Sequence, residues 1–117
     1  MPQIDLFRNE PDLRSYPAGQ VIFSDGQPGD FMFALLEGEV NIEKQGRLIR
    51  IIKPGEVFGE MALIDGQPRS ATATAATDCK VAAVPEKRFT LVVKTNPFFA
   101  LEMLRMLTDR LRHQTES

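Results

Sequence analysis

Between Gln20 and Val84 the chain reads as short β-prone runs broken by glycine-centred turns. The runs are Val21–Phe23, Phe31–Leu36, Glu39–Glu43, Leu48–Ile52, Ala71–Ala75 and Lys80–Val84. The punctuation is Asp25-Gly26-Gln27-Pro28-Gly29-Asp30, Glu37-Gly38, Gln45-Gly46, Pro54-Gly55 and Asp65-Gly66-Gln67-Pro68. Val40 and Ile42 alternate with Glu39, Asn41 and Glu43, so that strand keeps one face in water. Gln45-Gly46 predicts a tight hairpin into the next strand. Many short strands with regular turn signals point to an antiparallel sandwich, jelly roll or barrel rather than a βαβ fold.

The flanks read differently. Ile4 to Leu13 predicts a short N-terminal helix or irregular arm with Leu6, Phe7 and Leu13 towards the core. Tyr16-Pro17-Ala18-Gly19 predicts an extended lead-in and a turn, because a residue before proline avoids the helical region. After Pro85 the period becomes helical. Glu86 to Lys94 predicts one short helix, and Asn96-Pro97 opens another with Asn96 as N-cap and Pro97 at the first helical position. Phe98 to His113 predicts an amphipathic helix of about four turns carrying Leu101, Met103, Leu104, Met106, Leu107 and Leu111. Leu101, Leu104, Thr108 and Leu111 follow a 3-4-3 spacing. That face suits either a seam against another helix or packing on the chain's own β structure.

Composition narrows the class. The 117 residues fit one compact domain, 1–117, with the β part at about 17–85 and the helical part at about 86–114. Hydrophobic residues at 43% and charged residues at 26% describe an ordinary globular chain. A net charge of -2 argues against general nucleic-acid binding, though not against one small anion site. A single cysteine, Cys79, excludes an internal disulfide and is expected to be a buried or half-buried small apolar residue. One histidine, His113, beside that cysteine offers no metal centre, and it is expected to face water near a helix end. With no leader or long apolar run in the sequence, the expected location is the cytoplasm and no membrane contact is expected.

The segment Phe58 to Ala75 carries the chemistry. Gly59 permits a backbone bend that a side chain obstructs. Glu60-Met61-Ala62-Leu63 can form one helical turn whose leading N–H groups suit an anion. Asp65-Gly66-Gln67-Pro68 then returns the chain to set Arg69 and Ser70 opposite that turn. Arg69 offers a planar fork of donors for phosphate oxygens, Ser70 a hydroxyl, and Glu60 an acceptor pair suited to a sugar hydroxyl. Donors for one phosphate and an acceptor for its ribose therefore converge within a short segment.

Phe58-Gly59-Glu60 through Arg69-Ser70-Ala71-Thr72 resembles the phosphate-binding cassette of the cyclic-nucleotide-binding domain family. Tyr16 to Phe23, Gly26 to Asp30 and Leu36 to Val40 are similar to that family's turn-and-strand signature, so the resemblance spans about Phe7 to Leu111. It implies an antiparallel β-roll, a jelly roll or double-stranded β-helix, with a short N-terminal helix and C-terminal helices. It implies that Glu60 accepts from the ribose 2′-hydroxyl. Arg69 pairs with the cyclic phosphate, joined by backbone around Gly59, Met61, Ala62 and Leu63 and by the N–H of Ala71. Ser70 bonds a phosphate oxygen or a purine edge. The C-terminal helix closes over the base, with Thr108 as its expected polar contact.

The expected ligand is cAMP, with cGMP second, because a serine after the arginine is similar to bacterial cAMP-responsive regulators. No cofactor is expected. No DNA-reading element and no direct DNA binding are expected, and nothing in the sequence suggests turnover: no paired carboxylates and no Ser-His-Asp set. The expectation is a stand-alone sensor that binds rather than reacts. It pairs as a homodimer through Phe98 to Leu111 and acts on an effector protein. A ligand-free assembly scaffold with the same fold is the alternative.

Overall fold

The computed structural model describes residue 7 and residues 9–116, with side chains as far as residue 112. Eight strands run in order: β1 (Leu13–Tyr16), β2 (Val21–Phe23), β3 (Phe31–Glu37), β4 (Val40–Lys44), β5 (Arg47–Ile52), β6 (Val57–Phe58), β7 (Thr72–Ala75) and β8 (Cys79–Pro85). A short helix α1 (Met61–Asp65) interrupts them, and α2 (Glu86–Thr95) and α3 (Pro97–Glu116) follow. The strands form two antiparallel four-stranded sheets, β1-β8-β3-β6 and β2-β7-β4-β5. This is the expected β-roll with flanking helices.

The continuous apolar runs of β3 and β8 have a simple cause, since their sheet is covered on both faces. Phe33 and Leu35 from β3 and Val81 and Ala83 from β8 enter a core shared with Phe23, Val40, Ile52, Phe58 and Ala73 of the roll. The alternate residues Met32, Ala34, Ala82 and Val84 enter a second core with Phe7, Phe89, Val92, Phe99 and Met103. Period-two alternation within one strand thus anchors α2 and α3 to the outside of the roll. Phe23, Phe33 and Phe58 stack at ring-centroid distances of 5.3–6.1 Å inside it.

Local chemistry sets the joints. Gln45 at φ 53° and Gly46 at φ 76° make the hairpin between β4 and β5, both in the left-handed region that primed turns need. Asn96 Oδ1 accepts from Phe99 N at 3.1 Å, the expected cap of α3. Gly38 sits at φ 93°, where a Cβ would lie 2.3 Å from Asp78 O and 2.8 Å from Cys79 Sγ. Cys79 is buried there, as anticipated.

One expectation needs correction. Leu13 does not face the core: it opens β1 opposite Ala82 and is 47% exposed. The described residues of the arm before it, 7 and 9–12, carry no strand, and β1 starts only at Leu13, where β8 offers a ladder. β6 was also unforeseen, since two residues of strand make no period. Of the N-terminal arm, Phe7 is fully buried, whereas Ile4 and Leu6 lie outside the described residues, as does the His113 side chain. Among the described residues, no helix is long and apolar enough to cross a membrane.

Candidate functional site

Gly59 leaves β6 at φ 77°, and Glu60 caps α1: its Oε2 accepts from Met61 N at 3.2 Å, and its carbonyl accepts from Leu63 N and Ile64 N. Gly66 ends α1 at φ 69°, with its N–H on Ala62 O, and Asp65 Oδ1 accepts from Gln67 N. The returning chain is clamped at Arg69. Arg69 N donates to Gln27 O at 2.7 Å, and Arg69 O accepts from Gly26 N at 2.8 Å. The turn Asp25–Asp30 therefore positions the arginine. Gly29 has no room for a side chain, since a Cβ would stand 2.3 Å from the Cβ of Ala62 and 2.9 Å from Arg69 Nε.

These elements enclose a cavity of about 560 Å³, ample for a nucleotide-sized ligand. Gly59, Glu60, Met61, Ala62, Arg69, Ser70 and Ala71 line it. Glu60 and Arg69 are 3% and 6% exposed, two buried charges at one site. Arg69 Nη1 donates to Gly59 O and Nη2 to Phe31 O, each at 2.6 Å, and the guanidinium lies 4.1 Å from the Phe23 ring centroid. Among the described residues its Nε is buried without an acceptor. Burial lowers the Arg69 pKa, against the opposing pull of Asp30 and Glu60. The side chain remains a cation, its charge met by carbonyl dipoles and a ring face, an arrangement suited to receiving an anion.

Glu60 Oε1 accepts from Arg110 Nη1 at 2.6 Å, and Arg110 Nη2 donates to Val57 O at 3.1 Å. The last helix is thereby tied to the acidic end of the cassette. Leu107 and Leu111 of α3 complete the wall beside Arg110.

A model of the cyclic nucleotide-binding domain matches residues 13–96. The chain belongs to the cyclic nucleotide-binding domain family. A cyclic nucleotide-gated potassium channel, mll3241, of Mesorhizobium japonicum is 41% identical over 87 residues, covering 74% of this chain and 24% of the channel. A CRP-like cAMP-activated global transcriptional regulator of Mycobacterium tuberculosis is 30% identical over 102 residues, covering 83% of this chain and 46% of the regulator. The crystal structure of Thermus thermophilus catabolite activator protein superposes with a TM-score of 0.82 at 30% identity, covering 96% of this chain and 53% of that one. The chain thus spans between a quarter and about half of these regulatory relatives.

Within this cyclic nucleotide-binding domain, two expected contacts fall outside the cavity. Thr108 is exposed and does not line it; the residues of α3 that do are Leu107, Arg110 and Leu111. Helical geometry explains the miss. Phe99, Met103, Leu107 and Arg110 continue one inward stripe, and Thr108 lies off it, on the outer 3-4-3 face. An arginine on that stripe was the readable signal. Leu63 turns towards the second core, and its N–H, like that of Met61, is taken by Glu60. Ser70 is exposed at the rim, its carbonyl accepting from Lys44 Nζ at 3.0 Å. The sequence reading also passed over Arg50 and Phe23, both on the cavity wall.

Proposed function

We propose that this chain is a sensor domain that binds a cyclic nucleoside monophosphate, cAMP or cGMP, in the cavity between α1, Arg69 and α3. The carrying observation is that two buried charges of opposite sign, Glu60 and Arg69, face one cavity whose far wall is α3. Arg69 takes the cyclic phosphate, exchanging carbonyl partners for a charge-assisted pair. Backbone at Gly59, Ala62 and Ala71 borders the same oxygens. Glu60 takes the ribose 2′-hydroxyl. The hydroxyl and Arg110 then share one carboxylate, so ligand occupancy alters the tie between cassette and α3. A ligand that prefers one arrangement of that tie shifts the population towards it.

The output is rearrangement of α3, read by a second copy of this chain along the outer face of Leu101, Leu104, Thr108 and Leu111 and by an effector protein. Leu101 and Leu104 are exposed in the single chain, which leaves that part of the seam open. The protein acts in the cytoplasm as a regulator without catalysis of its own.

Thermal unfolding with cAMP, cGMP and 5′-AMP, beside an Arg69→Ala variant, tests the reading. Ligand at a hundred times its Kd stabilises the native state by about 2.7 kcal/mol. For this size that raises Tm by roughly 10 °C. The expected result is a shift with a cyclic nucleotide that disappears in the variant. No shift in folded protein free of bound ligand leaves the assembly-scaffold reading instead.

A further inference from the structure

Strand β2 is short and irregular. Val21 faces Thr74 of β7 and Phe23 faces Ala73, so two steps along β2 match one along β7. In a regular strand Val21 and Phe23 would share a face, because side chains alternate. The bulge breaks that alternation. Val21 stays exposed on the outside of the roll, whereas Phe23 turns inward and is buried opposite the small Ala73.

The re-aimed ring lies under the Arg69 guanidinium, its centroid 4.1 Å from Cζ, with the Phe33 ring 5.8 Å from the same atom. Gly59 packs against both groups. A Cβ there would stand 2.8 Å from Arg69 Nη1 and 3.2 Å from Phe23 Cε2, so only glycine lets the chain pass so close.

The ring answers an electrostatic need. Arg69 is buried, and among the described residues no carboxylate pairs with it. Nη1 and Nη2 donate to carbonyls, and among the described residues Nε has no acceptor. A buried cation ordinarily takes a carboxylate partner. Such a partner would occupy the fork and cancel the charge that an incoming anion needs. An aromatic face attracts a cation through its quadrupole, carries no net charge and uses none of the N–H donors. An aliphatic side chain of similar size fills the core and supplies no such field.

We propose that Phe23 is a positioning residue whose ring holds the Arg69 cation in place without a counter-ion, ready for the anionic group of the ligand. When the field of the ring weakens, the guanidinium turns to Glu60, the buried carboxylate on the same cavity, and the ligand must break that pair to bind. Affinity for the anion therefore follows the electron density of the ring rather than its size. The inference rests on the cyclic-nucleotide reading for its ligand and on the ring contact for its mechanism.

The test replaces Phe23 with mono-, di- and trifluorophenylalanine in the full chain. Each fluorine withdraws density from the ring face and changes its volume little. In calorimetric titration with cAMP and cGMP, affinity is expected to fall stepwise, by about tenfold in all. The same series at Phe99, a fully buried ring of the second core, is expected to leave affinity unchanged. Without ligand, exchange of the Arg69 Nε proton with water, followed by heteronuclear NMR, is expected to quicken in the same order at Phe23. A flat affinity series at Phe23 in a chain that binds, or an equal fall at Phe99, overturns the role of the ring and leaves the sensor reading intact. Binding of neither nucleotide by the parent removes the sensor reading. The hold of Phe23 on Arg69 is then decided by proton exchange, and an unchanged exchange series overturns it.

Discussion

Replacing Arg110 with methionine leaves Glu60 buried without its counter-ion. The pair is well formed: Nη1 to Oε1 is 2.6 Å, and the two side chains are 16% and 4% exposed. Removing one partner of a buried pair typically costs 3–5 kcal/mol, because the other charge stays out of water. Two features move the cost towards the lower end. Glu60 keeps the bond from Met61 N, and methionine retains most of the packing of the arginine stem. The expected loss is about 3 kcal/mol, or a Tm lower by roughly 12 °C at about 4 °C per kcal/mol. The double variant Glu60→Gln/Arg110→Met removes the orphaned charge, so the single costs do not add; a coupling of about 2 kcal/mol is expected. Urea unfolding followed by far-ultraviolet circular dichroism measures all four proteins. A loss below about 1 kcal/mol for Arg110→Met, the range of an exposed pair, refutes the argument, and so does simple additivity.

Other outcomes follow from the same geometry. Gly29→Ala drives a methyl into Ala62 and Arg69, so it is expected to cost about 1–3 kcal/mol and to blunt the thermal response to cyclic nucleotide. Sedimentation equilibrium is expected to give a dimer, and Leu104→Glu, at a position 61% exposed in the single chain, a monomer with an unchanged circular dichroism spectrum. Asp12 is held below its ordinary pKa of 3.8 chiefly by its hydrogen bonds from Arg14, so the ionised form contributes stability above that pH and loses it as pH falls through the lowered value. Because the pair is largely exposed, Asp12→Asn costs under about 1 kcal/mol at neutral pH. Its unfolding curve is expected to merge with that of the parent once pH has fallen below the lowered value.

The roll was legible where local chemistry and tertiary demand agree. Gln45-Gly46, Gly59 and Asn96-Pro97 each have one good conformation, and each adopts it. The double-sided burial of β3 and β8 appears in sequence as unbroken apolar runs. β1 was not legible because its apolar residues are sparse and its stability comes from pairing with β8, a partner distant in sequence. The cassette residues were readable as a set because one short segment supplies both charges. Arg50 and Arg110 come from β5 and α3, and only folding brings them to the cavity that Glu60 lines. Thr108 was chosen for being polar on a seam, whereas the residues of α3 that line the cavity are Leu107, Arg110 and Leu111.

Calorimetric titration of cAMP and cGMP into the chain and into Arg69→Met tests the central claim most directly. The account predicts one cyclic nucleotide bound per chain and no comparable heat from 5′-AMP. Losing two charge-assisted hydrogen bonds costs about 3 kcal/mol, so affinity in the variant falls roughly 100-fold. Equal binding by parent and variant, or no binding of either cyclic nucleotide by the folded parent, contradicts it.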